Sequence, residues 1–225
     1  MNYNDCLNSD FDGIIFDIDG TLTSTNELIF ASFNHVTKKY LNRSYSNEEI
    51  IELFGPTEDV ILRNWMKTDY NAARIDYYKF YESNHETMTK SIPGINELLH
   101  DIKKSGIPLS IYTGKGRESS LITLNKIGAY DYFDLIVTGD DVDDHKPSPE
   151  GILKFIKKFN LSPQNVLMIG DAAADIIAAK DAGCKSASVL WDCYDLEKVK
   201  SLNGDYYVSH VDELREVIFK LNECP

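Results

Sequence analysis

The stretch Gly13-Ile14-Ile15-Phe16-Asp17-Ile18-Asp19-Gly20-Thr21-Leu22-Thr23 runs an apolar strand directly into two carboxylates and a glycine turn. A buried strand ordinarily ends in turn formers without paired acids, because charge at the mouth of a core is costly unless a cation or hydrogen bonds compensate it. Two readings are open here, a solvated strand end with a turn glycine or a reactive carboxylate pair, and a motif this short does not choose between them.

Later apolar runs repeat the arrangement. Leu109-Ser110-Ile111-Tyr112 ends in Thr113-Gly114-Lys115, and Val166-Leu167-Met168-Ile169 ends in Gly170-Asp171, with Asp175 four residues on. Between them Leu135-Ile136-Val137 leads through an acidic loop to His145-Lys146-Pro147-Ser148-Pro149. Near-continuous apolar runs alternating with helical stretches are what a parallel sheet covered on both faces requires, and such sheets bind ligands beyond the carboxyl ends of their strands. The expected fold is therefore α/β, a doubly wound and mainly parallel sheet, with these polar groups converging at one edge.

The segment from the first strand to Pro93-Gly94 has another texture, helical and without a convincing strand. Ile29, Phe33, Val36 and Tyr40 share one helical face, Val60, Ile61, Asn64 and Trp65 begin another, and Asn47 heads a short capped helix. Tyr77, Tyr78, Phe80 and Tyr81 read as the core of the last helix of this segment. This predicts an inserted all-helical cap over residues 23–91, with residues 1–22 and 92–225 forming the core. Within the core, helices are expected near 149–159 and 173–182, strands at 108–112, 134–137, 166–169, 186–190 and 206–208, and a last helix carrying Val211, Leu214, Val217, Ile218 and Leu221.

A chain of 225 residues, 43% apolar, can bury a substantial core. Its formal net charge of -13 argues against a nucleic-acid surface and suits divalent cations. The opening Met1-Asn2-Tyr3-Asn4-Asp5-Cys6 lacks the basic and apolar regions of a signal peptide, and no apolar run reaches membrane-spanning length. A cytoplasmic protein is expected on those two grounds; Cys6, Cys184, Cys193 and Cys224 have no Cys-x-x-Cys spacing, so reduced thiols are expected rather than zinc or redox roles. Nothing in the sequence fixes the oligomeric state, monomer or dimer.

Taken in order, these motifs resemble the haloacid dehalogenase superfamily of phosphohydrolases: Asp17-Ile18-Asp19-Gly20-Thr21 first, Thr113 second, Lys146 third, and Gly170-Asp171 with Asp175 fourth. The resemblance covers essentially the whole chain and implies a helical cap between the first two motifs. It also implies that Asp17 is the nucleophile forming an aspartyl phosphate, and that Asp19 protonates the leaving oxygen and then activates water. Mg2+ is expected on Asp17, the backbone carbonyl of Asp19, Asp171 and Asp175, the last directly or through water. Gly20, Thr113 and Gly114 are expected around the phosphoryl oxygens, and Lys146 beside phosphate and Asp17. Asp175 also fits a helix cap, and Lys115 fits either substrate phosphate or solvent.

Two residues depart from the family pattern, Ala172 where Ser, Thr or Asn is common and His145 where a small residue precedes the lysine. Glu58 and Arg63, with Thr25-Asn26-Glu27, are the candidate cap contacts to substrate. The layout resembles phosphoglycolate phosphatases, whereas Thr25-Asn26-Glu27-Leu28-Ile29 and Phe54-Gly55-Pro56 look like the family's inorganic pyrophosphatases. The expectation is a small phosphorylated metabolite as substrate, with pyrophosphate hydrolysis or a β-phosphoglucomutase-like transfer as alternatives.

Overall fold

A computed structural model describes residues 7–221. Strand β1 (Leu7–Asn8) is followed by β2 (Gly13–Phe16), the run read first from the sequence, and all four β2 residues are buried. A short strand β3 (Thr23–Ser24) leads into four helices, α1 (Asn26–Leu41), α2 (Asn47–Ile51), α3 (Glu58–Met66) and α4 (Tyr70–Met88), and β4 (Lys90–Ser91) leads out. Alternation then sets in: α5 (Ile95–Ser105), β5 (Leu109–Tyr112), α6 (Arg117–Lys126), β6 (Leu135–Val137), α7 (Glu150–Phe159), β7 (Val166–Gly170), α8 (Ala173–Ala182), β8 (Lys185–Val189), α9 (Leu196–Ser201), β9 (Tyr206–Val208), α10 (Val211–Ile218) and β10 (Lys220–Leu221).

Six strands form one parallel sheet in the order β6-β5-β2-β7-β8-β9. Side chains alternate faces along a strand, so the two sides of β2 meet different helices. Ile14 and Phe16 pack with Leu98, Leu99 and Ile102 of α5 and Leu214 and Ile218 of α10. Ile15 faces the other way, into Ile152 and Phe155 of α7 and Ala178 and Ala179 of α8. No helix among the described residues is long and apolar enough to cross a membrane.

The register brings the motifs together. Phe16 aligns with Ile111 on β5 and with Ile169 on β7, and Tyr112 aligns with Val137 on β6. The next residues, Asp17, Thr113 and Gly170-Asp171, therefore leave three adjacent strands at the same end.

Helices α1 to α4 have a core of their own, with Leu28, Phe33, Val36, Leu62, Tyr77 and Tyr81 fully buried among its members. Phe33 sits between Trp65 and Tyr77, ring centroids 5.7 and 5.0 Å away, and truncating it to alanine removes about 3–5 kcal/mol of packing. An antiparallel pairing of Thr23 with Ser91 joins the two strands that flank this segment.

Two local expectations need correction, and one is borne out. The buried face of α3 is Glu58, Ile61, Leu62 and Met66, while Val60 and Asn64 are exposed, because the helix packs on the face carrying Leu62. Asn47 heads α2 as expected, capped by Ser46, whose hydroxyl accepts from Glu49 N–H while its own N–H donates to the Glu49 carboxylate. Leu221 leaves the last helix and pairs with Leu7 in a two-stranded ladder. Cys6 and Cys224 lie outside the described residues; Cys184 and Cys193 are free thiols.

Candidate active site

Asp17 stands one residue beyond β2, its N–H donating to Ile169 O at 2.8 Å and its side chain buried. The chain then turns at once, with Leu22 N–H donating to Ile18 O at 2.9 Å and Gly20 N–H to Thr23 O at 2.9 Å. Gly20 has φ +72, and a Cβ there would stand 2.3 Å from Asp171 Oδ2. Only glycine satisfies both the left-handed backbone and the approach of that carboxylate. Gly170 on the next strand meets the second of these demands alone, since its Cβ would stand 2.1 Å from Asp175 Oδ2.

Asp17, Asp171 and Asp175 each offer a carboxylate oxygen within 4.8 Å of the others. The counter-charge in their midst is Lys146, whose Nζ lies 3.0 Å from Asp17 Oδ1 and 2.7 Å from Asp175 Oδ1. Burial raises the Asp17 carboxyl above its ordinary range despite this lysine, and burial followed by the charges of Asp17 and Asp175 raises Asp171 well above it. Burial alone would lower Lys146, yet Asp17 and Asp175 together hold it above the usual lysine range, firmly charged. Asp17 Oδ1 is buried, and the Lys146 ammonium 3.0 Å away is its polar neighbour. Asp175 also accepts from Ala172 N–H at 3.1 Å, so it caps α8 and faces the cluster at once; alanine offers no acceptor in return.

A second charged group lies on the cap side. Asp19 Oδ1 is 3.3 Å from Lys115 Nζ, which is 3.3 Å from Glu58 Oε1 and 4.8 Å from the centre of the Tyr81 ring. Lys115 is buried, which works to lower it, but Asp19, Tyr81 and Glu58 hold it above the ordinary lysine range. The Thr25 hydroxyl donates a short hydrogen bond to Asp19 Oδ1. Thr25 stands at the N-cap position of α1 and makes no capping bond there, its hydroxyl being committed to Asp19. Thr113 is buried at the end of β5, its N–H donating to Val137 O at 3.1 Å and its hydroxyl accepting from Lys115 N–H at 3.3 Å, and Gly114 follows half-buried.

Glu58 enters from α3 and ties the helical segment to the sheet loops. Its Oε2 accepts from Gly116 N–H at 2.7 Å and its Oε1 from the Ser119 hydroxyl at 2.6 Å. Beside it the Thr57 hydroxyl donates to Asp140 Oδ1 at 3.0 Å, and Tyr81 and His85 of α4 meet Thr123 of α6 at 2.8 and 3.3 Å.

Of the residues singled out from sequence, Asp17, Asp19, Gly20, Thr113, Gly114, Lys146, Asp171 and Asp175 gather at the strand ends, and Lys115 and Glu58 flank them. Arg63 does not join them. It is exposed on α3, its guanidinium 4.6 Å from the centre of the Tyr70 ring. Five residues advance about 140° around a helix, so with Glu58 facing inward Arg63 must face elsewhere. Sequence reading missed Ser119, Thr123, His85 and the second role of Tyr81; Tyr77, Tyr81 and His85 at i, i+4 and i+8 was the available signal.

The family model described as haloacid dehalogenase-like hydrolase matches residues 14–189. Pyrophosphatase PpaX of Bacillus cereus (strain B4264) is 29% identical over 212 residues, covering 93% of this chain and 97% of the relative. The crystal structure of a predicted phosphoglycolate phosphatase from Haemophilus somnus 129PT superposes with a TM-score of 0.81 at 22% identity, covering 93% and 98% of the two chains. CbbY from Rhodobacter sphaeroides, in complex with phosphate, gives 0.77 at 22% identity, covering 91% and 96%. These structural likenesses speak to the fold alone.

Proposed function

The chain belongs to the haloacid dehalogenase-like hydrolases, and from that premise we propose that it is a Mg2+-dependent phosphatase of small phosphorylated metabolites, working through an aspartyl phosphate on Asp17. The observation that carries the reading is the buried Asp17 carboxylate at the strand end, 3.0 Å from a fixed lysine and crowded by Asp171 and Asp175, with another carboxylate, Asp19, two residues away. The donor set suits Mg2+: three carboxylates crowd together with one ammonium among them, so negative charge is left over, and every prospective ligand atom is an oxygen. Asp17, Asp171 and Asp175 with the main-chain carbonyl of Asp19 would hold the ion. When bound it supplies positive charge to offset the carboxylates and the phosphoryl oxygens.

An Asp17 oxygen attacks phosphorus, the bond to the leaving oxygen breaks, and Asp19 gives that oxygen its proton. Asp19, now a carboxylate, takes a proton from water, which attacks the aspartyl phosphate and releases inorganic phosphate, restoring Asp17. Lys146 keeps positive charge beside Asp17 throughout, so little reorganisation accompanies the transfer of negative charge. Thr113 and the Gly114 amide are assigned to the phosphoryl oxygens. The Thr25 hydroxyl orients Asp19.

Residues 23–91 are proposed as the cap and residues 1–22 and 92–225 as the core, with hinges near Thr23 to Thr25 and Ser91 to Gly94; the separate helical core and the Thr23–Ser91 pairing support this. A cytoplasmic setting is part of the same proposal.

A second reading, inorganic pyrophosphatase, is favoured by the name of the Bacillus cereus relative. A screen of phosphate esters and pyrophosphate, with Mg2+ and with excess chelator, separates the two. Turnover that persists in excess chelator would refute the metal site.

A further inference from the structure

We infer that Glu58 is a charge filter on the leaving group, so that the enzyme favours esters whose leaving group is uncharged or cationic over anionic ones, pyrophosphate included. The inference rests on the proposal that Asp17 and Asp19 carry phosphoryl transfer and goes beyond it by naming the substrate class.

A leaving oxygen protonated by Asp19 must lie within hydrogen-bond reach of that carboxylate. Lys115 is already there, 3.3 Å from Asp19 Oδ1, and Glu58 Oε1 is 3.3 Å beyond the same ammonium. While Asp19 still carries the proton it will give up, Glu58 cancels the charge of Lys115, and as Asp19 becomes a carboxylate the balance on the cap side of the acid turns negative. An anionic leaving group therefore meets no uncompensated cation before the transfer and a net negative charge as the transfer proceeds.

Other basic side chains of the region are committed. Arg74 pairs with Asp59 and with Glu118, Arg117 with Asp141 and Lys126 with Glu86, while Arg63 is turned out onto Tyr70. His85, held between the Thr123 and Thr89 hydroxyls, is kept neutral at pH 7, its pKa lowered to about 4 chiefly by burial. Nor is Glu58 free to swing away. Its two oxygens are held by Gly116 N–H, the Ser119 hydroxyl and Lys115, at the amino end of the ten-residue helix α6, where a carboxylate is favoured. A charge fixed in a buried setting acts on bound substrate without first reorganising.

The test is kcat/KM of the full-length Mg2+-loaded enzyme at pH 7.5 for phosphoethanolamine, glycerol 3-phosphate and 2-phosphoglycolate. Their alkyl leaving groups carry a positive, zero and negative charge. The expected result is a fall of about tenfold or more for each added negative charge. Glu58→Gln, similar in shape and without the charge, should raise the ratio of 2-phosphoglycolate to glycerol 3-phosphate about tenfold, and pyrophosphate in step. A flat wild-type series, or one that rises toward the anion, overturns the inference without any variant. So does a Glu58→Gln enzyme in which every substrate falls by one common factor, the signature of a mere latch between cap and core. Failure of the underlying reading looks different: no donor is turned over, or Asp17→Asn hydrolyses the series as well as the wild type.

Discussion

Replacing Lys146 with methionine keeps the volume and removes the ammonium that stands among three carboxylates. Its Nζ is 3.0 Å from Asp17 and 2.7 Å from Asp175, with side-chain exposures of 8%, 10% and 3% for the lysine and the two acids. Breaking a buried pair by removing one partner costs about 3–5 kcal/mol, because the charge left behind is uncompensated. In a chain of this size that corresponds to a fall in Tm of about 6–20 °C. The penalty depends on pH in a definite sense. Asp17 and Asp171 have folded-state pKa values raised above the ordinary 3.8, so the folded protein binds more protons than the unfolded one. That contribution to stability is complete below about 3.8 and is lost as pH rises through the folded values. Loss of Lys146 raises those values further, so the variant suffers most at alkaline pH. Urea denaturation followed by circular dichroism, in chelator, should find the deficit large at pH 8 and smaller at pH 5, and saturating Mg2+ should recover part of it at pH 8. A deficit equal at both pH values and indifferent to Mg2+ would refute the electrostatic account and leave Lys146 as packing.

Other consequences are open to direct measurement. Gly20→Ala forces a left-handed alanine, about 1–2 kcal/mol, and drives a methyl into Asp171, so thermal unfolding should show a loss of about 2–5 kcal/mol and calorimetry at least a tenfold weaker Mg2+ affinity. Neutral, buried His85 supports the fold fully above its unfolded pKa near 6.5 and loses that support as pH falls toward about 4; His85→Gln should spare about 1–3 kcal/mol of the acid-induced loss between pH 7 and 4, read from denaturation midpoints across that range. Arg63→Ala should change kcat/KM less than about twofold and stability by under about 0.5 kcal/mol, because the side chain is exposed and, among the described residues, engaged with Tyr70 alone. A large, substrate-selective effect at Arg63 would mean that α3 turns when substrate binds.

The middle of the sheet was legible because β2 and β7 are continuous apolar runs, and the polar residue that closes each run has nowhere to go but the strand end. Gly13-Ile14-Ile15-Phe16 and Val166-Leu167-Met168-Ile169 needed no tertiary knowledge, and parallel register then aligned Asp17 with Gly170-Asp171. The helical segment was legible as texture but not in detail. Val60 and Ile61 are adjacent and equally apolar, and which of them is buried depends on where α4 lies. Leu221 fitted the helical period of α10, yet strand pairing with Leu7, at the other end of the chain, took it out. The same limit hid the cap contacts. Thr57 meets Asp140 across 83 positions and Tyr81 meets Thr123 across 42, so no local pattern marks either pair. Glu58 stood out only because it follows the Gly55-Pro56 turn, and its partners Gly116 and Ser119 carried no signal at all.

The central claim is that Asp17 takes the phosphoryl group, and the most direct measurement is to look for it there. Asp19→Asn enzyme, slowed in activating water, should accumulate the phosphorylated form when incubated with Mg2+ and acetyl phosphate, a donor whose leaving group needs little protonation. Acid quenching and peptide mass spectrometry should then place one phosphoryl group on Asp17, and Asp17→Asn should show neither that mass nor steady-state turnover while keeping its circular dichroism spectrum. A phosphoryl group found on another residue, or near-normal turnover by folded Asp17→Asn, would contradict the account.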